Sequence, residues 1–407
     1  MTSVYLDHAA TTPMSAAALE TYLRVASTVG NASSQHGLGR QARRTVEESR
    51  EQIAQDLNAR PSEIIFTSGG TEADNLAIKG SFWAKAPTGR RRIVISAIEH
   101  HAVLEPAQWL SEHCGADFNE VPVNGIGVVD ADELRRILDE YRDEIAIVSL
   151  MWANNEVGTV QPLDELVPLI HDYGLTIHSD AVQALGTLPI DFAACELDAM
   201  TIGAHKIGGP VGVGALVARR ELPLVPVESG GGQERTVRSG TVDVAGIAAF
   251  ATAVRETTAR REDEAIRLAG LRDELIAGVL ASVPGASLRG PDPKTDSVGR
   301  LAANTLFTFD GCEGDSLIFA LDSQGVCAST GSACQAGVPQ ASHVLLAMGV
   351  DEVTARGALR FSLGHTSTRE DVIELLRVLP GAVERARSAG ISSPRPAIAA
   401  ARVMEEV

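Results

Sequence analysis

The stretch Ile64-Ile65-Phe66-Thr67-Ser68-Gly69-Gly70-Thr71-Glu72 reads as a buried strand, a glycine turn and the opening of a helix. A strand that passes into a helix through so short a turn belongs to a sheet with helical crossovers. The same alternation continues on both sides of it. β-Branched apolar runs at 93–96, 145–151, 175–179, 199–202 and 213–217 are bounded by turn residues, and helical periodicity fills 40–57 and 72–83. The expected fold is therefore α/β, with a mainly parallel central sheet covered on both faces. Ligands of such sheets sit beyond the carboxyl ends of the strands, so the loops there are where chemistry is sought. From 243 to 283 the chain turns helical and charged, with an apolar stripe at Leu268, Leu271, Leu275, Val279 and Leu280. Beyond it, strands at 304–309 and 358–362 and helices at 313–323, 342–348 and 368–379 predict a smaller α+β C-terminal domain. The expected division is a large domain at 15–255, a small domain at 1–14 and 256–388, and a surface tail at 389–407.

Composition narrows the possible functions. A formal net charge of −18 repels phosphate backbones, and Arg90-Arg91-Arg92 reads as a solvated turn, so no direct nucleic-acid ligand is expected. No run approaches the roughly 18 apolar residues of a membrane span. The five cysteines, Cys114, Cys195, Cys312, Cys327 and Cys334, are odd in number and lack CxxC or other close ligand spacing. Reduced thiols, a cytoplasmic location and no metal are the expectation. Only four of the 35 basic residues are lysines: Lys79, Lys85, Lys206 and Lys294.

Several loop segments carry groups suited to chemistry. The turn ending at Gly70-Thr71 offers free backbone N–H groups and a positive helix end to a phosphate, although a purely structural turn fits equally. Asp180 follows the strand at 175–179, where it either caps a helix or holds the protonated ring nitrogen of pyridoxal phosphate. Lys206, in Gly203-Ala204-His205-Lys206-Ile207-Gly208-Gly209, ends the next strand at the same sheet edge. Confinement among small residues lowers a lysine pKa, as a Schiff-base lysine requires. Glu99-His100-His101 follows a third strand and supplies an imidazole for ring stacking or proton transfer. Asn154-Asn155-Glu156 offers an amide to a cofactor oxygen, or simply a turn. In the second domain, Gly331-Ser332-Ala333-Cys334 sets a thiol in a small, polar loop that exposes sulfur, whereas Cys327 closely follows a helix. Arg360 has the fork that grips a carboxylate.

These segments resemble the cysteine desulfurases of the class V aminotransferase superfamily, fold type I pyridoxal-phosphate enzymes, over residues 4–385. Also carrying the resemblance are Tyr5-Leu6-Asp7-His8-Ala9-Ala10-Thr11-Thr12-Pro13, Gly30-Asn31-Ala32-Ser33-Ser34-Gln35-His36 and Arg238-Ser239-Gly240-Thr241. The Cys334 segment is similar to the group I branch that serves iron–sulfur clusters and tRNA thiolation. The resemblance implies pyridoxal phosphate on Lys206, with His100 stacked on the ring, Asp180 at its nitrogen and Gln183 or Asn155 at its phenolic oxygen. It implies Thr71 and His205 at the phosphate together with Thr241 of the partner subunit, hence a homodimer. Asn31 and Arg360 match positions that hold the substrate carboxylate, and Cys334 takes sulfur from L-cysteine and passes it to an acceptor protein. That acceptor is expected to be an iron–sulfur scaffold or a tRNA-thiolation enzyme. Gly203, Ala32 and His365 depart from the common pattern; the first removes one phosphate hydrogen bond. Two rival readings are a selenocysteine or C–S lyase of the same fold, which has no need of Cys334, and a non-catalytic scaffold.

Overall fold

The computed structural model describes residues 3–331 and 341–392, with side chains described as far as Ser388. In chain order the first part contains β1 (Val4–Tyr5), α1 (Ala16–Ala26), α2 (Gly37–Asp56), β2 (Ile64–Thr67), α3 (Gly70–Lys85), β3 (Arg92–Ser96) and α4 (His101–Cys114). There follow β4 (Asp117–Val121), α5 (Ala131–Tyr141), β5 (Ile145–Ser149), α6 (Leu163–Asp172), β6 (Ile177–Asp180), β7 (Ala199–Gly203) and β8 (Gly214–Ala218). Strands β2 to β8 form one seven-stranded sheet in the order β2-β8-β7-β6-β5-β3-β4. Only β8 runs against its neighbours, β2 and β7; the other pairs are parallel. Every residue of β5, β7 and β8 is buried, as expected of strands covered on both faces. The expected mainly parallel sheet is thus present. Strand β4 was not anticipated: Asp117-Phe118-Asn119-Glu120-Val121 is polar because it forms the sheet's open edge, bonded to β3 alone.

The 39-residue helix α7 (Val244–Ser282) starts behind an Asp243 cap that accepts from Gly246 N. Its first half packs Ile247, Phe250 and Val254 into the core under the sheet, and its second half packs Leu268, Leu275 and Val279 into a separate core. That second core draws on β9 (Ala286–Arg289), β10 (Asn304–Phe309), α8 (Gly314–Asp322), β11 (Val326–Cys327), β12 (Ala358–Ser362) and α11 (Arg369–Ser392), whereas α9 (His343–Ala347) and α10 (Glu352–Arg356) join Leu306 and Ala358 in a smaller cluster with Ile98 and Met151. Antiparallel β12-β10-β9 forms its sheet, where Phe307 lies 6.2 Å from Phe309 and 6.3 Å from Phe361 between ring centres. Each such buried ring contributes roughly 1.5–3 kcal/mol. Helix α11 runs past the expected start of the tail at 389. Ala382-Val383-Glu384-Arg385-Ala386-Arg387 contains good helix formers, and no proline follows until Pro394. Residues 393–407 lie outside the described residues. Among the described residues, no helix is long and apolar enough to cross a membrane.

Val4 and Leu6 belong to the second core, and β1 pairs with β11. From there the chain crosses to the main sheet. His8 N donates to Ser362 O and Ala9 N to Ser362 Oγ, whereas Thr12 N donates to His205 O and Ser15 N to Gly208 O. The segment from 7 to 12 therefore bridges β12 and the end of β7.

Candidate active site

At the carboxyl edge of the main sheet lies a cavity of about 380 Å³. Its lining includes Gly70, Thr71, His100, Asn155, Asp180, Gln183, His205, Lys206 and Arg360, residues that the sequence reading had singled out separately. Parallel β6 and β7 place Asp180 opposite Thr201, and a short 3₁₀ turn (Ala204–Lys206) after β7 carries His205 and Lys206. Lys206 Nζ donates to Ala9 O at 2.6 Å and to Ala10 O at 2.7 Å. Burial, reinforced by the Arg360 charge, brings its pKa down to about 8, while Asp180 and Asp7 oppose the shift.

Below the cavity lies a group of buried acids. Asp180 Oδ1 accepts from Val182 N at 2.9 Å. Burial raises its pKa to about 6, against the amide bond and Lys206. Burial, and then the Asp180 charge, push Asp74 well above the carboxylate range. Glu99 is pushed up well above it too, chiefly by burial and, with bonds from Met151 and Ser96 opposing, by Asp180. Burial thus disfavours charge on Asp74 and Glu99 more strongly than on Asp180, which Lys206 and the Val182 amide favour as the anion. His178 is neutral, its pKa lowered to about 3 by burial, and it lies between Ser149 Oγ at 2.9 Å and Thr201 Oγ1 at 3.0 Å. Asp74 Oδ1 and Glu99 Oε2 have no hydrogen-bond partner among the described residues.

The glycine turn sets the opposite wall. Gly69, at φ 149°, precedes α3, whose first residues Gly70 and Thr71 line the cavity. A Cβ on Gly214 of β8 would lie 2.7 Å from Gly69 C, so the turn and β8 approach as only glycine allows. Glu72 holds this turn to a later loop by accepting from Ser68 N at 2.6 Å and from Arg238 Nε at 2.8 Å. His205 Nδ1 is 3.2 Å from Thr11 Oγ1, and burial with the Lys206 charge lowers its pKa to about 4.

His100 is the N-cap of α4. Its Nδ1 accepts from Ala102 N at 3.1 Å, so the ring proton sits on Nε2. Burial first, then the charges of Lys206, His101, His343 and Arg360, lower its pKa to about 4 and keep the ring neutral. Arg360 enters from β12 and is 3% exposed. Its Nη2 donates to Asp7 Oδ1 at 2.7 Å and its Nη1 to Asn155 O at 3.0 Å, while Nε has no partner among the described residues. Gln183 Nε2 donates to Ala9 O at 3.0 Å.

Asn31 and Thr241 do not line this cavity within the chain: both are exposed, and Asn31 Oδ1 accepts from Ser33 N at 2.8 Å. Cys334 lies outside the described residues, although Ser329 and Gly331 on its N-terminal side line the cavity. Sequence reasoning missed Asp7, Asp74 and Glu99 as parts of the site. Asp74 left one signal, an acid among the apolar helix residues Ala73, Leu76 and Ala77.

With that geometry in place, kinship is clear. The aminotransferase class-V family profile matches residues 4–375. An IscS-like cysteine desulfurase of Mycobacterium tuberculosis is 54% identical over 391 residues, spanning 96% of this chain and 98% of the relative. Cysteine desulfurase IscS of Dictyoglomus turgidum is 41% identical, with 95% of each chain covered. Among solved structures, a NifS-like protein superposes with a TM-score of 0.85 at 35% identity, covering 94% of this chain and 99% of that one. SspA, solved in complex with cysteine, gives 0.76 at 30% identity, covering 89% and 99%. The chain belongs to the class-V aminotransferase family and, within it, to the cysteine desulfurases. Pyridoxal phosphate is the cofactor of this family, and the donor set of the cavity fits it. A helix N-terminus suits a phosphate, a buried carboxylate suits a pyridinium, and an amine near neutrality suits an aldehyde.

Proposed function

We propose that this enzyme converts L-cysteine to L-alanine and carries the sulfur as a persulfide on Cys334. The observation that supports it most directly is one cavity lined by Lys206, whose pKa is brought down to about 8, the buried Asp180 and an Arg360 whose Nε has no partner among the described residues. In this reading Gly70, Thr71, His205 and Thr241 of the partner subunit hold the phosphate. Asp180 holds the ring nitrogen, Asn155 or Gln183 the phenolic oxygen, and His100 lies on the ring. Bound there, the cofactor supplies an electron sink that acidifies the substrate Cα. Arg360, with Asn31, orients the substrate carboxylate. Lys206 takes the Cα proton, and its two N–H bonds to the Ala9 and Ala10 carbonyls leave the lone pair of a neutral amine free to accept it. The Cys334 thiolate attacks the substrate sulfur, the C–S bond breaks towards carbon, and His100 Nε2 is the proton carrier for the carbon product.

The reading extends to a cytoplasmic homodimer, to a division of labour between residues 15–255 and the unit of 1–14 with 256–388, and to delivery of sulfur to an iron–sulfur scaffold or a tRNA-thiolation enzyme. Its test is product analysis after L-cysteine is added. Alanine should appear with one added sulfur on the Cys334 peptide, and Cys334→Ala should abolish alanine while the cofactor stays bound. Unchanged turnover in Cys334→Ala, with elemental sulfur released beside alanine or with sulfide beside pyruvate and ammonia, refutes the persulfide step and favours a lyase.

A further inference from the structure

We infer that Asp7 is a positioning residue for substrate recognition: its carboxylate fixes the Arg360 guanidinium so that one N–H edge stays open to the substrate carboxylate. The inference rests on Arg360 receiving that carboxylate, as proposed above. A guanidinium is a rigid plane with five N–H donors, so fixing two of its nitrogens fixes the direction of the third. Here Nη2 is fixed by Asp7 Oδ1 at 2.7 Å and Nη1 by Asn155 O at 3.0 Å. Nε, itself buried, is the nitrogen left without a partner among the described residues, on a side chain that lines the same cavity.

Both fixing groups are themselves held. Asp7 forms a β-bridge with Ser362, two residues beyond Arg360, and its carbonyl accepts from Tyr5 Oη at 3.1 Å and from Ala10 N at 3.0 Å. The Asn155 carbonyl also accepts from Asn304 Nδ2 at 2.9 Å. Asp7 engages Arg360 through a single oxygen on a single terminal nitrogen. A carboxylate arriving side-on at Nε therefore meets an oriented donor and need not displace Asp7. Preorganisation of this kind acts on binding of the carboxylate and leaves the reacting centre alone.

The test compares two small ligands by the change each makes in the absorption of the bound cofactor. L-Alanine carries the carboxylate without the thiol; cysteamine carries the thiol and amine without the carboxylate. Asp7→Ala should weaken L-alanine by about tenfold and cysteamine by less than about twofold, and KM for L-cysteine should rise in step with L-alanine while kcat holds within about twofold. Asp7→Asn, which keeps an acceptor oxygen and loses the charge, should fall between, and it carries the same comparison if Asp7→Ala does not fold. Equal weakening of both ligands would mean a merely structural residue, and unchanged or tighter L-alanine would mean a bystander or a competitor; either overturns the inference. Arg360→Met separates the two layers. If it leaves L-alanine binding intact, the role of Arg360 is wrong; if it alone weakens L-alanine, only the role of Asp7 is.

Discussion

Lys206 should capture its cofactor fast at neutral pH, because only an unprotonated amine attacks an aldehyde. Burial and the Arg360 charge lower its pKa from 10.5 to about 8. At pH 7.5 that leaves about a quarter of the amine neutral, against about one part in a thousand for an ordinary lysine, a difference of roughly 200-fold. The shift corresponds to about 3 kcal/mol between the two protonation states. The assay mixes protein freed of cofactor with excess pyridoxal phosphate across the pH range and follows the absorbance of the covalent adduct. Dividing by the rate for the neutral form of a simple alkylamine removes the cofactor's own ionisation. The corrected rate should climb about tenfold per pH unit below 8 and level off above it. Arg360→Met deletes a cation that favours the neutral amine, so its plateau should move to higher pH. Asp180→Asn deletes an anion that opposes it, so its plateau should move lower. A rate that keeps climbing to the pKa of the free alkylamine, in parent and variants alike, would refute the reasoning.

Two further substitutions probe the framework of the site. Glu234 is 3% exposed and grips Arg50 through both oxygens, at 2.7 and 2.8 Å, while accepting from Phe66 N at 3.0 Å. Glu234→Ala leaves the buried guanidinium with only the exposed Glu47, at 3.1 Å, as a counter-charge and should cost about 3 kcal/mol in urea unfolding, most of it regained by the pair Arg50→Met and Glu234→Leu. A midpoint unchanged in the single variant would argue against the buried pair. Gly214→Ala puts a Cβ 2.7 Å from Gly69 C and 2.8 Å from Ile202 O, so the turn before α3 must shift. Overpacking of about 1–3 kcal/mol there should raise the pyridoxal-phosphate dissociation constant by roughly tenfold in equilibrium dialysis, and an unchanged constant would show that this turn does not hold the phosphate.

What was legible in the sequence was local. Strands such as Ile64–Thr67 and Ile145–Ser149 announce themselves by runs that are apolar up to their last residue, because both of their faces are covered. The glycines of 69–70 and 208–209 mark turns by their type alone. The polar edge strand β4 lacks that signature, and so does β9, whose residues are all half-buried. The less visible part of the site is made of relations between distant segments. Nothing in Tyr5-Leu6-Asp7 points to Arg360, 353 residues away, and the upward pKa shifts of Asp74 and Glu99 come from burial that only the finished sheet provides. Asn31 and Thr241 were singled out by motif, and within one chain they stay at the surface.

The bridging segment from 7 to 12 also fixes when, during synthesis, the site comes into being. Its bonds to Gln183 and Lys206 close loops of 174 and 197 residues, and its bond to Arg360 closes one of 353. Loop length itself costs little equilibrium stability, about 0.6 kcal/mol per doubling, but no contact forms before both of its ends exist. At about 5–20 residues per second, Arg360 leaves the ribosome roughly ten to thirty seconds after Lys206. For that interval the nascent chain can assemble the sheet and its reactive amine while the guanidinium that completes the cavity wall is still missing. In the proposed reading the cofactor amine is therefore made before the carboxylate-binding guanidinium, and the segment at 7–12 joins the two.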